Sequence, residues 1–141
     1  MIKYVVTALG GVAVGILLAK LIAQIKENKK LEYAKILENC FGEPMYTNNF
    51  SLAEARDWIK SRKEKLENGA KAVILKANSE TLQNIGKDLD IGEGPDKNIV
   101  IAIINETTKE IEDSVLIRYE VLDDELDAIL EKGKGILVVE A

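Results

Sequence analysis

The segment near the N-terminus is much more apolar than the rest of the chain. Between Tyr4 and Ile25 the only charged residue is Lys20. As a helix that rises about 1.5 Å per residue, this segment would be about 33 Å long, which is close to the thickness of the hydrocarbon core of a bilayer. Lys20 could extend its ammonium group to lipid headgroups, and Tyr4 suits the opposite interface. The pattern therefore predicts a single transmembrane helix.

Small residues recur at every fourth position of this segment, which places them along one stripe of a helix. Helices in lipid associate through close backbone packing, which small side chains permit, and Gly11 and Gly15 form a GxxxG motif. We therefore predict a helix-association seam that makes the protein a homo-oligomer or joins it to another membrane protein, consisting of Thr7, Gly11, Gly15, Ala19 and Ala23. A helix that contacts no other helix is the alternative.

Lysines are concentrated at the end of the apolar segment and just after it. The positive-inside rule then predicts a single-pass protein of the cell membrane with a cytoplasmic C-terminal domain. Contacts with lipid headgroups are predicted for Lys20, Lys26, Lys29 and Lys30. Two alternatives stay open: a cleaved signal peptide, which would release an exported soluble binding domain, and a buried helix of a soluble domain.

Apolar residues continue at helical spacing to Asn39, and Gly42 and Pro44 then end the pattern. The chain is therefore divided into a transmembrane helix and stalk (1–41), a linker loop (42–50) and a cytoplasmic α+β domain (51–141). The loop reads GEPMYTNNF, which contains several turn-forming residues.

The predicted cytoplasmic domain alternates between helical and strand patterns. Ser51 and Glu54 form a capping box at the start of a helix that is predicted to run to Glu67. The remaining elements are a strand over 70–77, a helix capped by Asn78 or Ser79, a hairpin over 98–104 and 111–121, a helix that starts after Asp123 and ends at Lys132, and a strand over 136–139. The order α-β-α-β-β-α-β predicts an antiparallel or mixed sheet with helices on one face, and a ferredoxin-like arrangement is one candidate.

Composition narrows the choice of function. The net charge of −5 disfavours nucleic acid as a partner, since phosphate contacts require a surplus of Lys and Arg. The chain contains no histidine and a single cysteine, Cys40, so the usual acid–base and nucleophile pairs are missing. The acidic segment 88–96 departs from the register of a calcium loop. We therefore predict no catalytic residue, no cofactor and no metal.

Acidic residues gather where the last helix is predicted to begin, and negative charge there complements the helix dipole. They could also form the surface for a basic partner: Asp123, Asp124, Glu125 and Asp127. Taken together, the sequence predicts a membrane-anchored assembly or protein-interaction module that self-associates through its N-terminal helix. An enzyme with an unrecognised site of carboxylates or lysines is the alternative from another class.

Overall fold

One mixed β-sheet organises the computed structural model, which describes residues 3–5, 11–28, 30–85 and 97–140. Its strands are β1 (Lys3–Val5), β2 (Met45–Phe50), β3 (Lys71–Lys76), β4 (Asn98–Asn105), β5 (Glu110–Leu122) and β6 (Ile136–Glu140). They lie in the order β1-β6-β3-β4-β5-β2. β2 runs parallel to β5, and every other neighbouring pair is antiparallel. Five strands of at least five residues thus form the body of the sheet, and the short β1 lies at one edge.

Helices cover both faces of this sheet. The described helices are α1 (Val12–Glu27), α2 (Tyr33–Phe41), α3 (Leu52–Lys60), α4 (Lys63–Glu67), α5 (Ser79–Ile85) and α6 (Asp124–Lys132). Buried residues of α1 and α2 share one hydrophobic core with one side of the sheet, and those of α3, α4 and α6 share a second core with the other side. The fold is therefore a small α+β domain with a three-layer arrangement.

The central strand β4 explains why two cores form. Val100, Ala102 and Ile104 belong to the core beneath α1 and α2. The intervening residues Ile99, Ile101 and Ile103 belong to the opposite core. All six side chains are fully buried, because alternate residues of a strand point to opposite faces and helices cover both. The prediction that helices lie on one face only is therefore wrong.

The apolar N-terminal segment has a different structure from the one expected. In place of the transmembrane helix and stalk predicted over 1–41, the described part of this segment contains β1, the 16-residue α1 and the separate α2. Among the helices in the described ranges, none combines the length and the apolar character that crossing a membrane requires. The predicted transmembrane stalk is thus not supported, since α1 buries side chains such as Leu17 and Leu21 in a protein core.

Two further predictions about the architecture are wrong. The segment 42–50 contains the strand β2, which pairs with β5 over most of its length and is not simply a linker loop. The ferredoxin-like arrangement also fails, because its first two strands are separated by the third, whereas β3 and β4 pair directly and antiparallel. Strand order depends on long-range contacts that a local pattern does not contain.

Several local predictions are confirmed. The Ser51 hydroxyl accepts a hydrogen bond from the Glu54 amide at 3.2 Å, which is the serine half of the predicted capping box. The Asn78 side chain likewise accepts one from the Thr81 amide at 3.0 Å and caps α5. The strands β3 and β6, the β4–β5 hairpin and the helix α6 occur where they were predicted. The helix predicted from Leu52 to Glu67 is divided into α3 and α4.

Candidate interaction surface

The outer edge of the sheet is formed by β2. Gly42, with φ of +92°, ends α2 in a conformation that favours glycine, and β2 follows within a few residues. β2 pairs with β5 on one side, and none of the other described strands pairs with its opposite side. Because an edge strand directs part of its N–H and C=O groups away from the sheet, β2 presents main-chain donors and acceptors to the surroundings.

Large apolar side chains lie exposed on and beside this strand. Met45 is 58% exposed and Tyr46 is 76% exposed at the start of β2. Val121 of β5, the register partner of Asn49, is 60% exposed. We call β2 together with Val121 the edge surface. Three of the five exposed large apolar residues of the described chain thus lie on one edge of the sheet.

The edge surface is also free of charge. The residues of β2 are Met, Tyr, Thr, Asn, Asn and Phe, whereas 30% of the whole chain is Asp, Glu, Lys or Arg. Natural proteins commonly protect a sheet edge with lysine, proline or a very short strand. β2 has six residues and neither lysine nor proline within it. Within the described ranges, its outer edge is therefore open to pairing with another strand.

The predicted helix-association seam lies on the outer side of α1. Gly11, at its N-cap, and Gly15, Ala19 and Ala23 within the helix are all exposed. Thr7 is outside the described residues. An added Cβ at Gly15 would meet nothing within 4 Å, so this part of the stripe is open. The stripe faces away from the sheet, and its predicted role in association remains a prediction.

Most of the predicted lipid contacts can also be placed. Lys20, Lys26 and Lys30 are exposed on α1 and in the turn that follows it. Lys29 lies outside the described residues. Three of these lysines are thus at exposed positions of α1 or of the turn after it, and their contact with lipid remains a prediction.

The acidic cluster surrounds the start of α6. Asp123 is the N-cap residue but makes no side-chain capping hydrogen bond, while Asp124 and Glu125 are exposed. Asp127 instead forms an ion pair with Lys76, with 3.0 Å between the ammonium nitrogen and a carboxylate oxygen. Part of this cluster therefore holds α6 against the sheet, and its role as a surface for a basic partner remains a prediction.

The pKa values of Cys40, Lys71 and Lys76 are clearly shifted. Burial raises the pKa of the Cys40 thiol, although the charge of Lys20 opposes the shift. Burial alone would lower the pKa of Lys76, but hydrogen bonding to Asp127 and nearby negative charges outweigh it and raise the pKa. A hydrogen bond to Glu106 raises the pKa of Lys71. Each shift favours the protonated form, which is the form that is not nucleophilic.

A buried polar cluster, which the sequence did not reveal, fastens α2 to the sheet. The guanidinium of Arg118 donates to the Asn98 side-chain oxygen at 3.2 Å and to the Ala34 carbonyl at 2.9 Å. The Tyr33 hydroxyl donates to the Ala77 carbonyl at 2.9 Å. Protein groups thus pair with these side chains, and the cluster positions α2. Residues so far apart in the chain share no local pattern that could have predicted it.

The edge surface was also missed by sequence reasoning. Pro44 and two asparagines gave 42–50 the appearance of a loop. The signal that could have found it is the uncharged run of Tyr46 to Phe50, with aromatic residues and threonine in a chain rich in charge. Within the described ranges, no group of three or more Cys, Asp or Glu residues could hold a metal ion. Comparison with protein-family models, curated proteins and solved structures finds no match.

Proposed function

We propose that the protein is a non-catalytic interaction module that binds an extended strand along β2. The observation that carries this proposal is the open, uncharged edge surface with exposed Met45 and Tyr46. A strand added to a sheet edge gains main-chain hydrogen bonds, and its alternate side chains contact the flanking surface. The predicted role as a protein-interaction module is thus retained, with a different binding element.

The absence of catalysis in this proposal is supported by the direction of the pKa shifts. A reactive cysteine requires a lowered pKa, and a lysine that acts as a nucleophile or base also requires one. Cys40, Lys71 and Lys76 shift the other way. Lys71 and Lys76 moreover form ion pairs with carboxylates. These lysines therefore serve the fold in our proposal.

A peptide library displayed on phage tests the proposal. The immobilised full-length chain is compared with Tyr46→Lys, which places a charge on the edge surface, and with Val12→Lys. Val12 is an exposed apolar residue of α1, so this control makes the same chemical change elsewhere. We expect extended peptides with few charges to bind the wild type and the control, and to be lost with Tyr46→Lys. Peptides that bind all three chains equally, or no enrichment at all, would contradict it.

A second observation favours contact with anionic lipid. Residues 1–41 contain six lysines and three glutamates, although the whole chain is acidic. Each lysine near an anionic membrane contributes about 1 kcal/mol, so exposed Lys20, Lys26 and Lys30 could hold α1 at the bilayer surface. This proposal keeps the predicted membrane location without a span. Phosphatidylserine vesicles should bind the wild type at low salt and should not bind the double variant Lys20→Gln/Lys26→Gln. Equal binding of the two chains would refute it.

A further inference from the structure

We propose that the strand bound by β2 is the β2 strand of a second copy of this chain. Two sheets would then join edge to edge across a twofold axis. This inference rests on the proposed function of β2 as a strand-binding edge and identifies its partner. It also gives the predicted homo-oligomer an interface in the sheet instead of in the N-terminal helix.

The two edges of the sheet differ in a way that selects β2. β1 has three residues within the described ranges. A very short strand at an edge discourages pairing. β2 is twice as long and carries no charge. Pairing through β2 therefore uses the less protected edge and leaves the more protected one at the outside of the dimer.

The charge distribution directs a contact between two copies to β2. Each chain has a net charge of −5, so two copies repel one another over much of their surface. The uncharged β2 is a place where identical surfaces can meet without opposing like charges. A twofold contact is self-complementary, and it closes after two copies because each β2 edge is then used. The exposed Met45 and Tyr46 are present in both copies, so each sheet supplies the same apolar contact.

Symmetry also fixes a detail of the pairing. Neighbouring residue pairs of an antiparallel ladder alternate between hydrogen-bonded and non-hydrogen-bonded types. A twofold axis must carry each hydrogen-bonded pair onto a hydrogen-bonded pair and each non-hydrogen-bonded pair onto a non-hydrogen-bonded pair. This holds only if the axis passes through a pair in which a residue lies opposite the same residue of the other copy. In any other register, the axis would exchange a hydrogen-bonded pair with the non-hydrogen-bonded pair beside it. The residues nearest the middle of β2 are Thr47 and Asn48. In the proposed pairing the two strands overlap as far as possible, so one of these two residues faces its own copy, at a Cα separation of about 4.5–5.5 Å.

Single cysteines test this geometry in the full-length chain with Cys40→Ala. We expect either Thr47→Cys or Asn48→Cys to form a disulfide-linked dimer rapidly on mild oxidation. The flanking variants Tyr46→Cys and Asn49→Cys should react at least about tenfold more slowly, because a disulfide requires a Cα separation below about 7 Å. Val12→Cys is the matched exposed control and should behave like these slow variants. Equal rates at all positions would overturn the proposed pairing.

Sedimentation equilibrium of the chain with native Cys40, kept reduced, gives an independent test. We expect a monomer–dimer equilibrium whose dissociation constant rises at least about tenfold in Tyr46→Lys and stays unchanged in Val12→Lys. A monomer at every concentration would overturn the inference about the partner. If peptides still bound β2 in that case, the proposed function would stand. If the wild type neither bound peptides nor formed a dimer, both the proposed function and this inference would be refuted.

Discussion

Leu21 lies on the buried side of α1, and its side chain is fully buried in the core between α1 and the sheet. Leu21→Ala removes this packing and leaves a cavity. Substitutions of this kind cost about 2.7–5 kcal/mol, depending on how far the surroundings relax. A domain is usually stable by about 5–15 kcal/mol, so this single change should remove a large share of the free energy of unfolding.

Urea unfolding followed by circular dichroism measures this loss. Leu31→Ala is the matched control, because it deletes the same atoms from a side chain that is 39% exposed in the turn after α1. The control should lose less than about 1 kcal/mol. If Leu21→Ala were no more destabilised than Leu31→Ala, α1 would not be part of the core, and the account of the N-terminal segment would be refuted.

Three other predictions concern residues of different elements. Gly15→Ala should raise the free energy of unfolding in urea by about 0.5–1 kcal/mol, because the site is helical, exposed and open around the new Cβ; a loss would show that α1 is not helical there. The raised pKa of Lys76 means that its ion pair stabilises the fold below about pH 10.4 and loses this effect as pH rises through the folded-state pKa. As the pH rises above about 10.4 the wild type should therefore lose more stability in urea unfolding than Lys76→Met, and parallel losses would contradict the assignment. Because burial raises the pKa of Cys40, its thiol should react with a disulfide reagent at pH 8 more slowly in the folded chain than in urea, and equal rates would show that it is not shielded.

The sequence was sufficient for elements whose signals are local. The helix cap at Ser51, the strand β3 and the β4–β5 hairpin each depend on residues close together in the chain, and the structure confirms them. The prediction of a membrane span from Tyr4 to Ile25 is not supported, because the same residues suit a bilayer or a protein core. Whether such a segment lies in a bilayer or in a protein core depends on what packs against Leu17 and Leu21. In this fold the sheet packs against them, and its residues are mainly more than forty positions away from them in the chain.

The candidate site was predictable only in part. The exposed stripe of Gly15, Ala19 and Ala23 and the exposed lysines of α1 were identified from the sequence, but their roles in binding remain predictions. The edge surface was missed because a strand becomes an edge through the order of the sheet. Nothing in the letters MYTNNF specifies that β5 occupies one side of β2 and that no described strand occupies the other.

Amide hydrogen exchange at low and high protein concentration tests the central claim that β2 is an interface between two copies. The full-length chain is followed by mass spectrometry, with fragments that separate 45–50 from α1. The account predicts that exchange in β2 slows as the concentration rises, since outward amides become paired, and that α1 is unaffected. Exchange in β2 that is the same at both concentrations would contradict the claim, and slowing confined to α1 would favour the helix seam instead.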